Sequence, residues 1–334
     1  MRQIGLGIQT DKTPAEYVAL AQLIDRYDVD VVHAYCDLPH TPSYLPLALM
    51  APHLRRARLG PAGVSLARMT PVDIAADTAL LAQLARGGVS VGLVRGGWLE
   101  DYGMHEPVRP LQAMREGVAV IRYMLSGASG GLDGELYPLA QHAWSPWALP
   151  PDTHVPLLIG SWGPRLCALA GEIADEVKIG GSANAAMLPL AQRWVAQGEQ
   201  RAARVAGSVA LAIGAVCVAD EERERARAAA RRSVAMYLPI VSRLDPTISV
   251  EPELIERLQA LFEQRNDAGA ARLVSDELLD CFAFSGDARD LIRQAEALYD
   301  AGATRVEFGT PHGIVPARGI RLIGEQVIPA LRAG

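Results

Sequence analysis

The sequence predicts an α/β fold, a (β/α)8 TIM-type barrel, and three observations carry that prediction. Strand-length apolar runs begin near residues 4, 30, 58, 89, 155, 176, 209 and 305, eight in all. An amphipathic stretch of helical period follows each of them. Composition does not shift along the chain, which argues for a single domain over residues 1–334. Apolar runs without alternation suit strands buried on both faces, and strand–helix alternation marks a parallel sheet covered by helices. A doubly wound sheet alternates in the same way and is the competing architecture.

Residues 4–9 form the first expected strand. Thr13-Pro14-Ala15-Glu16 then supplies a capping threonine, a first-turn proline and a glutamate at N3, ahead of Tyr17, Leu20, Ala21 and Ile24. The next pairs are strand 30–35 with helix 44–54, strand 58–64 with helix 71–85, and strand 89–94 with helix 110–125. An inserted segment near 127–154 interrupts the rhythm, and its 132–139 stretch, containing Asp133-Gly134, reads as a hairpin. Strand 155–159 with helix 164–173, strand 176–179 with helix 185–203, and strand 209–218 with a charged helix 220–237 follow. A second insertion, near 238–285, reads as added helices with Leu254, Leu258, Leu261 and Phe262 on one face. Helix 288–301, strand 305–308 and helix 319–331 close the chain.

Charge and cysteine content narrow the function. With 32 Lys plus Arg against 38 Asp plus Glu, no basic surplus exists to neutralise a nucleic-acid backbone or an anionic membrane. No apolar run approaches the ~18 residues a membrane span needs. Met1-Arg2-Gln3 leads into a strand pattern and not into an apolar signal region, so a cytoplasmic enzyme acting on a small molecule is the expectation. Cys36, Cys167, Cys217 and Cys281 lie far apart and read as buried small hydrophobes, with no metal site encoded. Only Lys12 and Lys178 are lysines, leaving 30 arginines among the 32 basic residues, a bias that suggests a GC-rich genome.

In a barrel, chemistry sits at the carboxyl ends of the strands. Three of those ends are glycine-rich: Gly60-Pro61-Ala62-Gly63-Val64-Ser65, Arg95-Gly96-Gly97-Trp98-Leu99-Glu100 and Gly160-Ser161-Trp162-Gly163-Pro164. Glycine lets backbone amides approach a flat or anionic ligand, and Gly163-Pro164 also opens a helix with unpaired N–H groups. The combination predicts a planar cofactor with a phosphate tail, held mainly by backbone. No phosphate-binding P-loop, dinucleotide fingerprint, G-x-S-x-G elbow or H-E-x-x-H pair competes with it.

Three passages carry a family resemblance: Val155 to Pro164, its continuation Ala170-Gly171-Glu172-Ile173-Ala174-Asp175, and Leu59-Gly60-Pro61-Ala62-Gly63-Val64 leading to Arg68-Met69-Thr70-Pro71. Phe308-Gly309-Thr310-Pro311-His312-Gly313 and Leu322-Ile323-Gly324-Glu325 extend it to the C-terminus. The chain resembles the luciferase-like monooxygenase superfamily, in particular its methylenetetrahydromethanopterin reductases. The resemblance implies a barrel that binds the deazaflavin coenzyme F-420 or, alternatively, FMN. It also implies hydride transfer to an imine, alkene or pterin-like small molecule, and a homodimer. An FMN-dependent monooxygenase and a cofactor-binding relative without catalysis are the alternatives.

The resemblance further implies a non-prolyl cis peptide behind the cofactor ring at Ala62-Gly63 or Gly63-Val64. It puts the cofactor phosphate on the amides of Trp162 and Gly163, with Gly160, Ser161, Gly96 and Gly97 lining the same site. A bulky residue at Gly63 is expected to harm cofactor binding more than folding. Asp37 matches the acidic residue beside the ring and is the candidate catalytic group. Polar positions of the family are replaced here by Leu38, by Gly7 or Gln9 in strand one, and by Gly97.

Overall fold

A computed structural model describes residues 2–333 of the chain. Ten strands pair in parallel in the order β3-β2-β1-β10-β8-β7-β6-β5-β4, with β9 added on β8. They span Gln3–Ile8 (β1), Val31–Ala34 (β2), Arg58–Pro61 (β3), Val64–Ser65 (β4), Val91–Val94 (β5), Leu157–Gly160 (β6), Glu176–Gly180 (β7), Ala210–Ala219 (β8), Ala283–Gly286 (β9) and Arg305–Gly313 (β10). β3 and β4 are two halves of one interrupted strand. The parallel bridge Leu59–Val89 joins that strand to the start of β5 and closes the ring. The barrel therefore has eight strand positions, as the apolar runs predict.

Helices α1 (Pro14–Ile24), α2 (Tyr44–Met50), α3 (Pro71–Leu84), α4 (Pro110–Ser126), α5 (Pro164–Ile173), α6 (Met187–Arg201) and α7 (Arg223–Val241) follow successive strand positions. Local chemistry starts them where the sequence suggests. Thr13 and Glu16 close a capping box on α1, and Thr70 caps α3 ahead of Pro71. Part of the recognisable sequence is packing chemistry. A Cβ on Gly171 would stand 2.1 Å from the Val195 carbonyl oxygen, so α5 and α6 approach only because that residue is glycine. Asp175 accepts the Leu157 amide at 2.8 Å and fixes the start of β6. Gly324 lies against the Tyr27 ring, and Glu325 accepts the Tyr27 hydroxyl at 3.0 Å.

The second insertion differs from the expectation in one respect. Residues 238–285 hold helices α8 (Pro252–Glu263), α9 (Asp267–Ala271) and α10 (Asp276–Phe282), but they end in β9, which pairs with the outer half of β8. Ala283-Phe284-Ser285-Gly286 is too short an apolar run to be told from a helix end by periodicity. The four residues expected on one helix face do enter a common apolar cluster, with Leu258 at its centre and Leu254, Leu261 and Phe262 at its margin. Burying a leucine like Leu258 stabilises the fold by about 1.5 to 3 kcal/mol. In the first insertion the hairpin reduces to one antiparallel bridge, Leu132–Leu139. The closing helix is broken: α11 (Ala288–Asp300) precedes β10, and α12 (Pro316–Leu322) and α13 (Ile328–Ala333) flank a wider turn at Ile323–Val327.

The barrel lumen is charged at its amino-terminal end. Glu176 receives Arg305 at 2.7 Å and also pairs with Arg58. Arg305 is almost fully buried, so its guanidinium needs that carboxylate as a counter-charge. Glu176→Ala is expected to destabilise the protein by about 3 to 5 kcal/mol, because two guanidinium groups lose their partner. Thermal denaturation checks this, with a fall in midpoint of roughly 5 °C expected for a chain of this size.

Candidate active site

The carboxyl ends of β2, β3/β4, β5 and β6 are neighbours around the barrel and bring the expected site residues into one arc. The cis non-prolyl bond lies at Ala62–Gly63, between β3 and β4, and is the first of the two positions the resemblance allows. Gly63 has a structural reason of its own: a Cβ there would stand 2.7 Å from the Gly92 carbonyl oxygen. The expectation that a bulky residue at 63 harms cofactor binding first is therefore corrected, since it would push β3/β4 from β5 and disturb folding. Val64 is fully buried in β4, pointing into the apolar core.

The other mouth glycines differ among themselves. Gly96 adopts a left-handed φ of 107° and presses on the Ser65 side chain, whose hydroxyl donates to the Arg95 carbonyl at 2.6 Å. Gly160 leaves room for Val94. Around Gly97, Gly163 and Gly180, by contrast, a Cβ would meet nothing within 4 Å. These three expose bare backbone into open space at the mouth. The Gly163 amide donates weakly to the Ser161 hydroxyl at 3.3 Å, while the Trp162 amide has no partner among the described residues. The Trp162 indole is fixed across the mouth by donating to the Gly180 carbonyl at 2.8 Å.

Asp37 stands just past β2 and is half-buried. Its carboxylate accepts no hydrogen bond among the described residues, although its carbonyl accepts the His40 amide at 2.9 Å. Burial raises its pKa above the usual carboxylate value, while Lys178, His40 and Arg68 oppose the shift. Arg68 is held beside it by donating to the Cys36 carbonyl. Leu38, where the family pattern places a polar group, is buried and packs as an apolar residue. Trp98, at a positive φ of 55°, meets Tyr237 of α7 edge to face at 6.2 Å. The pair joins the β5 end to α7.

Sequence reasoning misses a second group of polar residues that only tertiary structure assembles. Glu307 on β10 pairs with Lys178 on β7, and its other oxygen lies 2.7 Å from Nδ1 of His33 on β2. The Tyr35 ring lies 5.0 Å from the Lys178 ammonium. A Cβ on Gly7 would fall 1.9 Å from the Tyr35 hydroxyl and 3.0 Å from Glu307 Oε1. The lumen carboxylate beside strand one thus comes from β10, and Gly7 makes room for it and for Tyr35. The available signal was the lone charged residues in the apolar runs of β7 and β10. A surface depression of about 410 Å³ among Asp25, Arg26, Arg55 and Arg56 lies at the opposite end of the barrel, where Arg55 is already bound to Asp25.

An eight-stranded parallel barrel covered by helices, with open backbone at one mouth and a buried charged lumen, defines the α/β-barrel class. Residues 2–305 match the luciferase-like monooxygenase family model, and the chain belongs to that family of oxidoreductases. It is 30% identical to 5,10-methylenetetrahydromethanopterin reductase of Archaeoglobus fulgidus over 301 residues, covering 86% of this chain and 87% of that protein. Its fold is similar to the coenzyme F-420-dependent tetrahydromethanopterin reductase of Methanopyrus kandleri, with a TM-score of 0.88, 21% identity and 99% of both chains covered. A coenzyme F-420-dependent secondary alcohol dehydrogenase is also similar, with a TM-score of 0.81, 20% identity, and 99% of this chain and 100% of that one covered.

Protonation gives the lumen a pH signature. Burial lowers the pKa of His33 to about 4, so it is neutral and donates its Nδ1–H to Glu307. Burial also lowers His312, on β10, to about 4. The Lys178 and His33 partners hold Glu307 ionised, well below its ordinary value, against the opposing effect of burial. An unfolded chain binds protons at both histidines below about pH 6.5, and at the glutamate below about pH 4.3, before the folded chain does. Stability is therefore expected to be full above pH 6.5 and to fall steadily as pH drops toward 4. Calorimetric midpoints at pH 7.5, 6, 5 and 4 check this, and a flat profile from 7.5 to 5 would contradict neutral burial of the two histidines.

Proposed function

We propose that the protein is a coenzyme F-420-dependent oxidoreductase acting on a small imine, alkene or pterin-like molecule. One observation of the structure supports this above others: the open backbone at Gly97, Trp162, Gly163 and Gly180 faces a mouth where Asp37 carries an unbonded carboxylate. The residues present fit a planar cofactor with an anionic tail, because bare glycine backbone admits a flat ring and free amides at the start of α5 suit a phosphate. The names of the relatives favour the deazaflavin over FMN. Reduced coenzyme F-420, when bound, supplies a hydride.

The chain's own residues supply the rest. Trp162 and Gly163 hold the phosphate by their amides, assisted by Ser161 and the backbone at Gly160. Ala62 and Gly63 back the ring, with Gly96 and Gly97 forming the neighbouring wall and Val64 anchoring that wall in the core. Asp37 holds the proton that the substrate needs after reduction, since burial raises its pKa and favours the protonated carboxyl. Trp98 and Tyr237 cover the mouth and limit water. The site draws on residues from 37 to 237, which supports a single catalytic unit, and we place it in the cytoplasm.

Binding is expected to perturb the deazaflavin absorbance of added coenzyme F-420. Copurification with FMN and no deazaflavin affinity would favour a monooxygenase. Binding without turnover on imines, enones and carbonyl compounds would favour a non-catalytic relative. Asp37→Asn is expected to lower turnover by roughly 10² to 10⁴ while leaving coenzyme affinity within a few-fold. Unchanged turnover would remove Asp37 from the chemistry.

The homodimer is supported by a row of exposed leucines on two adjacent helices. Leu45 and Leu49 lie one turn apart on α2, and Leu80 and Leu84 one turn apart on α3, with exposures of 76%, 38%, 58% and 39%. Such a stripe on packed helices suits a matching stripe of a second copy. Leu45→Glu with Leu80→Glu is expected to convert a dimer to a monomer in light scattering at micromolar concentration. A wild-type monomer under those conditions would overturn the assignment.

A further inference from the structure

Trp98 sits where its backbone is strained and its side chain is only partly covered. A φ of 55° is a left-handed conformation that glycine adopts freely and a bulky residue does not. The turn has glycine at Gly96, another of its left-handed positions, but keeps tryptophan here, 39% exposed, with Tyr237 as its aromatic contact. Strain held by a large exposed aromatic at the mouth marks a contact that the fold itself does not need. The α7 side of the mouth repeats this chemistry. Tyr237 and Val241 lie one turn apart: the first meets Trp98, and the second comes within 3.4 Å of where a Cβ on Gly181, just past β7, would stand. Met236 and Ile240 form the adjacent row, also one turn apart, with exposures of 54% and 44%. An apolar strip thus runs from Trp98 across α7, interrupted only by the Tyr237 hydroxyl and the Trp98 indole N–H.

We infer that the non-reacting part of the substrate is an uncharged apolar ring that lies on Trp98 and along the Met236 and Ile240 row. This rests on the redox reading of the mouth given above and narrows its substrate class to imines and alkenes on an apolar frame. A pterin ring has amide and amine edges that give up hydrogen bonds to water on entry and need partners in return. The strip has two polar atoms to give, and Leu38 and Gly97, where the family pattern has polar groups, remove further partners. An anionic molecule fares no better. The cations that follow β1, β4 and β5 are engaged already: Lys12 by Asp11, Arg68 by the Cys36 carbonyl and Arg95 by Glu106. Asp37 at the same mouth repels a second carboxylate. An apolar ring loses nothing on entry, and its contact with Trp98, Met236 and Ile240 removes apolar surface of both partners from water.

N-phenyl-1-naphthylamine, an uncharged fluorophore, and 8-anilinonaphthalene-1-sulfonate, the same ring system with one negative charge, are a matched pair of probes. Fluorescence titration of the whole protein is expected to give an affinity for the amine roughly tenfold above that for the sulfonate. Trp98→Gly relieves the left-handed strain, and is expected to leave the thermal midpoint within about 3 °C while weakening amine binding roughly tenfold. Met236→Ser with Ile240→Ser, at exposed positions, is expected to weaken the amine by a similar factor with the midpoint unchanged. Equal or tighter binding of the sulfonate by the unmodified protein overturns the inference. So does amine binding that either variant leaves unmoved, and the α7 variant decides alone if Trp98→Gly fails to fold. Neither titration needs coenzyme. Protein that binds the amine in this pattern but does not bind coenzyme F-420 sinks the functional reading and keeps the apolar strip. Protein that binds coenzyme F-420 and reduces only carboxylate-bearing enones or imines does the reverse.

Discussion

Two long charged side chains on one strand, Arg305 and Glu307 of β10, set the terms for the barrel around them. Both point into a lumen that in most barrels is filled by branched apolar residues. Their neighbours give way. Gly5 and Gly7 on β1 and Gly214 on β8 are in register with β10 or beside it, and a Cβ on Gly5 or Gly214 would press on Glu307 at 3.1 or 2.9 Å. Partners then have to come from across the barrel, because a buried charge without one costs several kcal/mol. Glu176 and Lys178 on β7 and His33 on β2 meet that need, and Arg58 on β3 shares Glu176. The seemingly wasteful glycines of the first strand thus follow from the charges on the last one.

The same accounting separates the glycines of the mouth into two kinds. Gly60, Gly63 and Gly92 are fixed by approach between neighbouring strands, where a Cβ would meet backbone carbonyls at 2.2 to 2.7 Å. A Cβ on Gly97, Gly163 or Gly180 would meet nothing within 4 Å, so packing gives no reason for glycine there. Bare backbone facing open space is what a ligand bound through amides requires. One residue type at one end of the barrel thus divides into positions that packing requires and positions that it leaves open, and only the space beyond each Cα tells them apart.

The added helices connect the two levels. They build a separate apolar cluster with Leu258, Leu279 and Phe282 at its centre, and that cluster anchors the upper part of α7. Tyr237 on α7 is thereby held against Trp98, and Val241 against Gly181. The mouth is roofed by a segment with its own core, while the lumen beneath is set by the ring of strands.

How much of this was legible in the sequence depends on whether the cause is local. Strand runs, the cap at Thr13 and the glycine-rich strand ends are local, and the structure has them where the sequence suggests. Alternation also placed Asp37 at the mouth of the second strand. β9 escaped because four residues carry no period of their own and become a strand only through β8. The Lys178–Glu307–His33 group escaped for a related reason: its members are 274 residues apart at the extreme and share no motif. Gly7 illustrates the boundary most clearly. The sequence alone showed glycine at position 7, and the resemblance left the family's lost acidic position at Gly7 or Gln9. Only the closed barrel, which brings Tyr35 and Glu307 into the space a side chain at position 7 would fill, decided why.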